Sequence, residues 1–169
     1  MRDNPSRLIA VAVMALLSQR VMASSEELEN GLITAMRLNK ETKERLGDSG
    51  KAIQAYMREG FVGSRPNRRV DYTDYYLLRK PATFMRHELV VIEEEYMSKF
   101  IGCCVNVGVG VVLRVSGGTE NVEEFAEQNG CRVEENVDFQ QTAADLGIKA
   151  KVSKGNYVSL SCRERDAMQ

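Results

Sequence analysis

The sequence has no tryptophan and only one histidine, His87, among its 169 residues. Carbohydrate-binding surfaces often rest on tryptophan, and a Cys-His or Ser-His scheme would have to use that one imidazole. The text from His87 to Val91, HELVV, lacks the second histidine of a zinc-protease H-E-x-x-H helix. There is no G-x-S-x-G, no D-x-D-x-D-G calcium loop and no C-x-x-C. In the glycine-containing stretch Gly108–Leu113, Leu113 stands where G-x-G-x-x-G needs its third glycine, and G-K-[ST] is missing. No cofactor or metal is therefore expected.

Long apolar runs and clustered positive charge are also missing. After residue 23 no segment approaches 18 consecutive apolar residues, so nothing there would hold the chain in a membrane. The formal charge is −1, and becomes −3 once the first 23 residues, with Arg2, Arg7, Arg20 and Asp3, are set aside. A mildly acidic chain does not fit broad binding of nucleic acid or anionic membrane, which needs clustered cations.

What is present begins with a three-part leader. Arg2, Arg7 and the amino terminus precede an apolar run from Leu8 to Leu17, and Val21-Met22-Ala23 places small or slim residues before Ser24. This is the layout of a cleavable signal peptide. Ten apolar residues rise only about 15 Å as a helix, half of a bilayer core. A buried N-terminal helix is the alternative, kept open by Arg20, which is atypical in a cleavage region. The expected division is a signal peptide over 1–23 and a single α+β domain over 24–169, exported to the periplasm or exterior.

The four cysteines, Cys103, Cys104, Cys131 and Cys162, all follow the leader. An even count in a short exported chain reads as a disulfide framework. A bridge between the neighbours Cys103 and Cys104 would be strained, so each is expected to join Cys131 or Cys162. Zinc ligation usually needs C-x₂₋₄-C pairs, which are absent.

Residues 24–63 read as a helical hairpin. Leu28, Leu32, Ile33 and Met36 recur at helical spacing, and Ile53, Tyr56 and Met57 mark a second helix that stops at Gly60. Residues 74–169 read as sheet-rich. Alternation from Ile101 to Val115 predicts a long strand with its odd positions on a core, bent near Gly108 and Gly110. A strand over His87–Met97 is expected to pair with it, although Met85, Leu89, Ile92, Tyr96 and Phe100 also fit a helix face. Further on, a short helix ends near Gly130, a strand covers Cys131–Val137, and Asp138 caps a helix closed by Gly147. The KAKV segment (149–152) and Tyr157–Cys162 read as a hairpin. The fold class expected is α+β: an N-terminal helical hairpin on a mainly antiparallel sheet with two further short helices, disulfide-stabilised.

Candidate functional residues are few. Arg65, Arg68 and Arg69 lie close to Tyr72, Tyr75 and Tyr76, a mixture suited to a binding surface, though Asp71 and Asp74 partly cancel its charge. His87 reads as a surface or strand-edge residue. Glu93, Glu94 and Glu95 would alternate faces along a strand and read as a solvated charge run. The expectation is a non-enzymatic domain that binds another protein, as an inhibitor or immunity factor would. The alternative is an exported hydrolase using His87 or a glutamate of 93–95.

Overall fold

The computed structural model of the protein describes residues 25–97, 105–149 and 153–168. The leader, Cys103 and Cys104 lie outside the described residues.

Helix α1 spans residues 25–36, and α2 spans Ser49–Arg58. Asp48 caps α2 by accepting a hydrogen bond from the Lys51 amide at 2.9 Å. Four strands follow: β1 (Arg68–Val70), β2 (Thr73–Leu77), β3 (Thr83–Phe84) and β4 (His87–Glu95). Next come β5 (Gly108–Arg114), α3 (Glu120–Asn129), β6 (Arg132–Glu134), α4 (Phe139–Asp145) and β7 (Tyr157–Arg163). A 3₁₀ helix over Glu164–Met168 closes the described chain. The strands form one seven-stranded sheet in the order β1-β2-β4-β5-β7-β6, with β3 on the end of β4. All its pairings are antiparallel. The α+β class and the strand at 87–95 are thus as the sequence implies. The outermost strands, β1 and β6, are three residues long and carry arginine at their starts.

Alternation along β5 divides the core. Val109, Val111 and Leu113 face one side, where they share a core with Leu32 and Met36 of α1, Tyr56 of α2 and Val122 of α3. Val112 faces the other side and packs with Val91, Tyr157 and Phe139 of α4. Each fully buried aliphatic or aromatic side chain of this kind contributes about 1.5–3 kcal/mol. The helix stops are glycines with positive φ, Gly60 at 70°, Gly130 at 54° and Gly147 at 67°, as their positions in the sequence imply.

Two expectations are corrected. The long strand does not extend through 105–107: Val107 is exposed, Gly108 has φ 147°, and residues 101–104 lie outside the described residues. A Cβ at Gly108 would stand 2.6 Å from the Cys162 carbonyl oxygen, so only glycine lets β5 start against β7. β5 and β6 pair with β7 on its two edges, and of the hairpin expected between 149–152 and β7, residues 150–152 lie outside the described residues. Finally, Cys131 bonds Cys162, so neither is joined to Cys103 or Cys104. The register explains it: pairing Arg132 with Ser161 puts Cys131 beside Cys162, with Cα atoms 4.4 Å apart.

One side chain gathers the ends of several elements. A loop after α1, closed by a bridge between Leu38 and Arg45, delivers the Arg45 guanidinium under the sheet end. Its Nη1 donates to the carbonyls of Met36 at 2.8 Å and Asn129 at 2.6 Å. Its Nη2 donates to those of Gly130 at 3.0 Å and Arg163 at 3.1 Å. The acceptors include the last carbonyls of α1 and α3, which no intrahelical N–H can reach and where the dipole favours a cation. Burial lowers the Arg45 pKa from its ordinary value, opposed by the charge of Asp166.

The disulfide closes a loop of sequence separation 31. Replacing both partners, Cys131→Ser with Cys162→Ala, should remove about 3.5–4 kcal/mol of stability by chain entropy. Urea unfolding would show a lower midpoint, and an unchanged midpoint would contradict the pairing.

Candidate functional site

β4 carries the histidine and the three glutamates, and their burial departs from the sequence reading. His87 is 2% exposed, not a surface residue. Its Nδ1 accepts from the Ser116 amide at 3.2 Å, and Nε2 lies 3.2 Å from Asn121 Oδ1. This network assigns the ring hydrogen to Nε2. Asn121 Nδ2 also donates to the Met85 carbonyl at 2.7 Å, while Glu29 accepts from the Met85 amide at 2.7 Å. Together they hold the β3–β4 turn, where Met85 and Arg86 have φ of 50° and 70°. His87 is therefore a brace for a strained two-residue turn, with both ring nitrogens engaged.

The glutamates do alternate, but they are not solvated. Glu93 and Glu95 face the same side as Val112, where Arg163 Nη2 reaches Glu93 at 2.8 Å and its Nε lies 3.2 Å from Glu95. Arg165 adds a contact to Glu95 at 3.4 Å, and Asp166 accepts from the Arg163 amide at 2.8 Å. Gly110 makes room for this network, since a Cβ there would stand 3.2 Å from the Glu93 carboxylate. Both glutamates are thus held in ion pairs with Arg163.

Glu94 faces the opposite side, directly across from Asp74 in the β2–β4 register. It is about nine-tenths buried, with 9% of its surface exposed. Its Oε1 accepts from the Ser49 hydroxyl at 3.1 Å, at the first turn of α2. Burial pushes the Glu94 carboxyl above the usual carboxylate range, helped by Asp74 and Asp48 and opposed by Ser49 and Arg69. Asp74 is 2% exposed and fully engaged: Arg69 Nη1 lies 3.2 Å from both oxygens, with the Tyr96 hydroxyl at 3.0 Å and that of Tyr76 at 3.4 Å. The Arg69 guanidinium also stacks 4.6 Å from the Tyr96 ring centroid.

Glu94 lies in the wall of a cleft of about 770 Å³. The other walls are the loop that carries Arg45, the start of α2, Tyr76 and Tyr96, the start of β5, and Glu164 and Ala167. The large apolar side chains exposed among the described residues are Leu46, Met97, Val107 and Met168. Val107 lines this cleft, and each of the others is a chain neighbour of a residue that does. One cleft thus has an exposed valine and a largely buried carboxylate in its wall.

The arginine–tyrosine stretch does not form one surface. Tyr76 is buried on the Glu94 side, Tyr75 is half-buried on the Arg163 side, and Tyr72 is half-buried. Arg69 is taken up by Asp74 and Tyr96, while Arg65 and Arg68 are exposed. Among the described residues no three His, Cys, Asp or Glu side chains converge as metal ligands. His87 and Glu94 sit seven residues apart on one strand, about 20 Å, so they do not share a site.

Two substitutions follow from this geometry. His87→Ala should cost about 1–3 kcal/mol, because it leaves the Ser116 amide and Asn121 unpaired; a thermal melt unchanged from wild type would contradict the brace. Because the folded-state pKa of Glu94 is raised, the protonated form is the one folding favours, and stability is lost as pH rises through that pKa. Glu94→Gln should accordingly melt higher than wild type at pH 7, with the gap narrowing as pH falls below the usual carboxylate range. Comparison with family models, with curated proteins and with solved structures gives no match for this chain.

Proposed function

We propose that the protein is an exported, disulfide-stabilised domain that binds another protein, taking up a segment of its partner in the cleft beside Glu94. The observation that carries this reading is the cleft itself, lined by exposed Val107 and by Arg45, Gly47, Tyr96 and Ala167, the chain neighbours of exposed Leu46, Met97 and Met168. Isolated exposed apolar residues need no explanation, but their collection at one cleft marks an interaction site. Export itself rests on the leader over 1–23, with cleavage after Ala23, and on the disulfide. In this reading the N-terminal helical hairpin forms a fixed wall of the cleft, held to the sheet by Leu32, Met36 and Tyr56.

The hydrolase alternative has less support. His87 has both ring nitrogens engaged, and Glu93 and Glu95 are clamped by Arg163. Glu94 has the raised carboxyl of a general acid, yet its neighbour Asp74 is enclosed by Arg69, Tyr76 and Tyr96 and offers no second group to a substrate.

A photo-crosslinking residue at position 46 tests the reading in the exporting cell. It should trap one discrete partner, while the same residue at exposed Arg132, on strand β6, should not. Equal labelling from both positions, or none from position 46, would overturn the assignment of the cleft.

A further inference from the structure

Glu94 differs from the other buried carboxylates among the described residues. Asp74 has Arg69, Glu95 has Arg163 and Arg165, and Asp166 has Arg165 as cationic partners. Glu94 has only the Ser49 hydroxyl, on Oε1, and its Oε2 meets no donor among the described residues. Among the described residues Arg69 lies on Asp74, Lys51 lies 4.0 Å from Asp48, and Arg45 donates through Nη1 and Nη2 to four carbonyls. Lys43 stands exposed at the mouth of the cleft. A largely buried carboxylate without a countercharge is costly and is retained where something offsets it.

The geometry points to a cation subsite: the Glu94 end of the cleft takes the ammonium or guanidinium group of a lysine or arginine side chain from the docked segment. This rests on the docking reading above and gives its partner a chemistry. Tyr76 and Tyr96 line the same cleft, and the Tyr96 ring already carries the Arg69 guanidinium 4.6 Å from its centroid. Glu44, Asp48 and Glu164 add negative charge along the same cleft, against Lys43 and the already engaged Arg45. A cation arriving at Oε2 would form a charge-assisted hydrogen bond. Exposed Val107 in the cleft lining would meet the flanking residues of the same segment.

The test titrates the protein with Nα-acetyl-lysine methylamide, its arginine counterpart and the uncharged norleucine analogue, following the amide resonances of Ser49, Gly50 and Glu94. The lysine and arginine compounds should move these signals saturably and the norleucine compound should not. Glu94→Gln should weaken the response about tenfold or more, while its melting temperature stays at or above that of wild type. In wild type the affinity should rise with pH as Glu94 loses its proton, with Asp74, Asp48, Arg69, Tyr76 and Tyr96 as the groups facing it, and the variant should lack that rise. Equal response to norleucine, an unweakened Glu94→Gln, or no response to any compound would each overturn the subsite. Crosslinking from position 46 reads docking without reference to Glu94, so failure there belongs to the docking reading alone.

Discussion

The Arg45 guanidinium is the contact on which the arrangement of helices around the sheet depends. Its four acceptors come from the end of α1, the end of α3, the residue beyond it and the end of β7, segments far apart in sequence. Carbonyls at helix ends must find a donor or water. Here one planar, permanently charged fork serves two helices at once, something a lysine ammonium could not do with the same directionality. The disulfide lies next to it, with Arg45 Nη1 3.6 Å from Cys131 Sγ. The covalent link and the clasp therefore fix the same corner, where α3 runs into β6. The cleft is built on that corner, because the loop presenting Arg45 is also one of its walls.

β4 shows how one strand can bury charge on both faces. On one side two glutamates meet an arginine, in a space opened by the glycines of β5. On the other, Asp74 and Glu94 face each other across the β2–β4 pairing, and only Asp74 has a counterion. Paired buried charges are approximately neutral in stability, whereas an unpaired one is a standing cost. That contrast singles out Glu94, and it would not be visible from burial alone.

The parts of the fold legible in the sequence were those set by local chemistry. Helical spacing of Leu28, Leu32 and Met36, the Asp138 cap and the glycine stops at 60, 130 and 147 are all decided within a few residues. The odd positions of β5 from Val109 onward point inward because strand periodicity leaves no choice. What was not legible depends on partners remote in sequence. Glu95 looks solvated until Arg163 is brought to it, and Cys131 finds Cys162 only through the β6–β7 register. His87 looks like an edge residue until Asn121 and Ser116 close over it. The candidate site was named only in part: Glu94 lay within the glutamate run, but nothing local distinguished it from its two neighbours. Tyr76 was read as surface because the strand phase of β2 is ambiguous in a stretch as polar as DYTDYY.

The two margins of the sheet bear on how any partner can approach. Each ends in a strand of three residues that begins with arginine. So short and charged a margin offers little free backbone for another chain to extend the sheet, the usual route by which β proteins stick to one another. A chain arriving at either margin would meet three residues of backbone headed by a guanidinium, so neither edge holds out a strand to be copied.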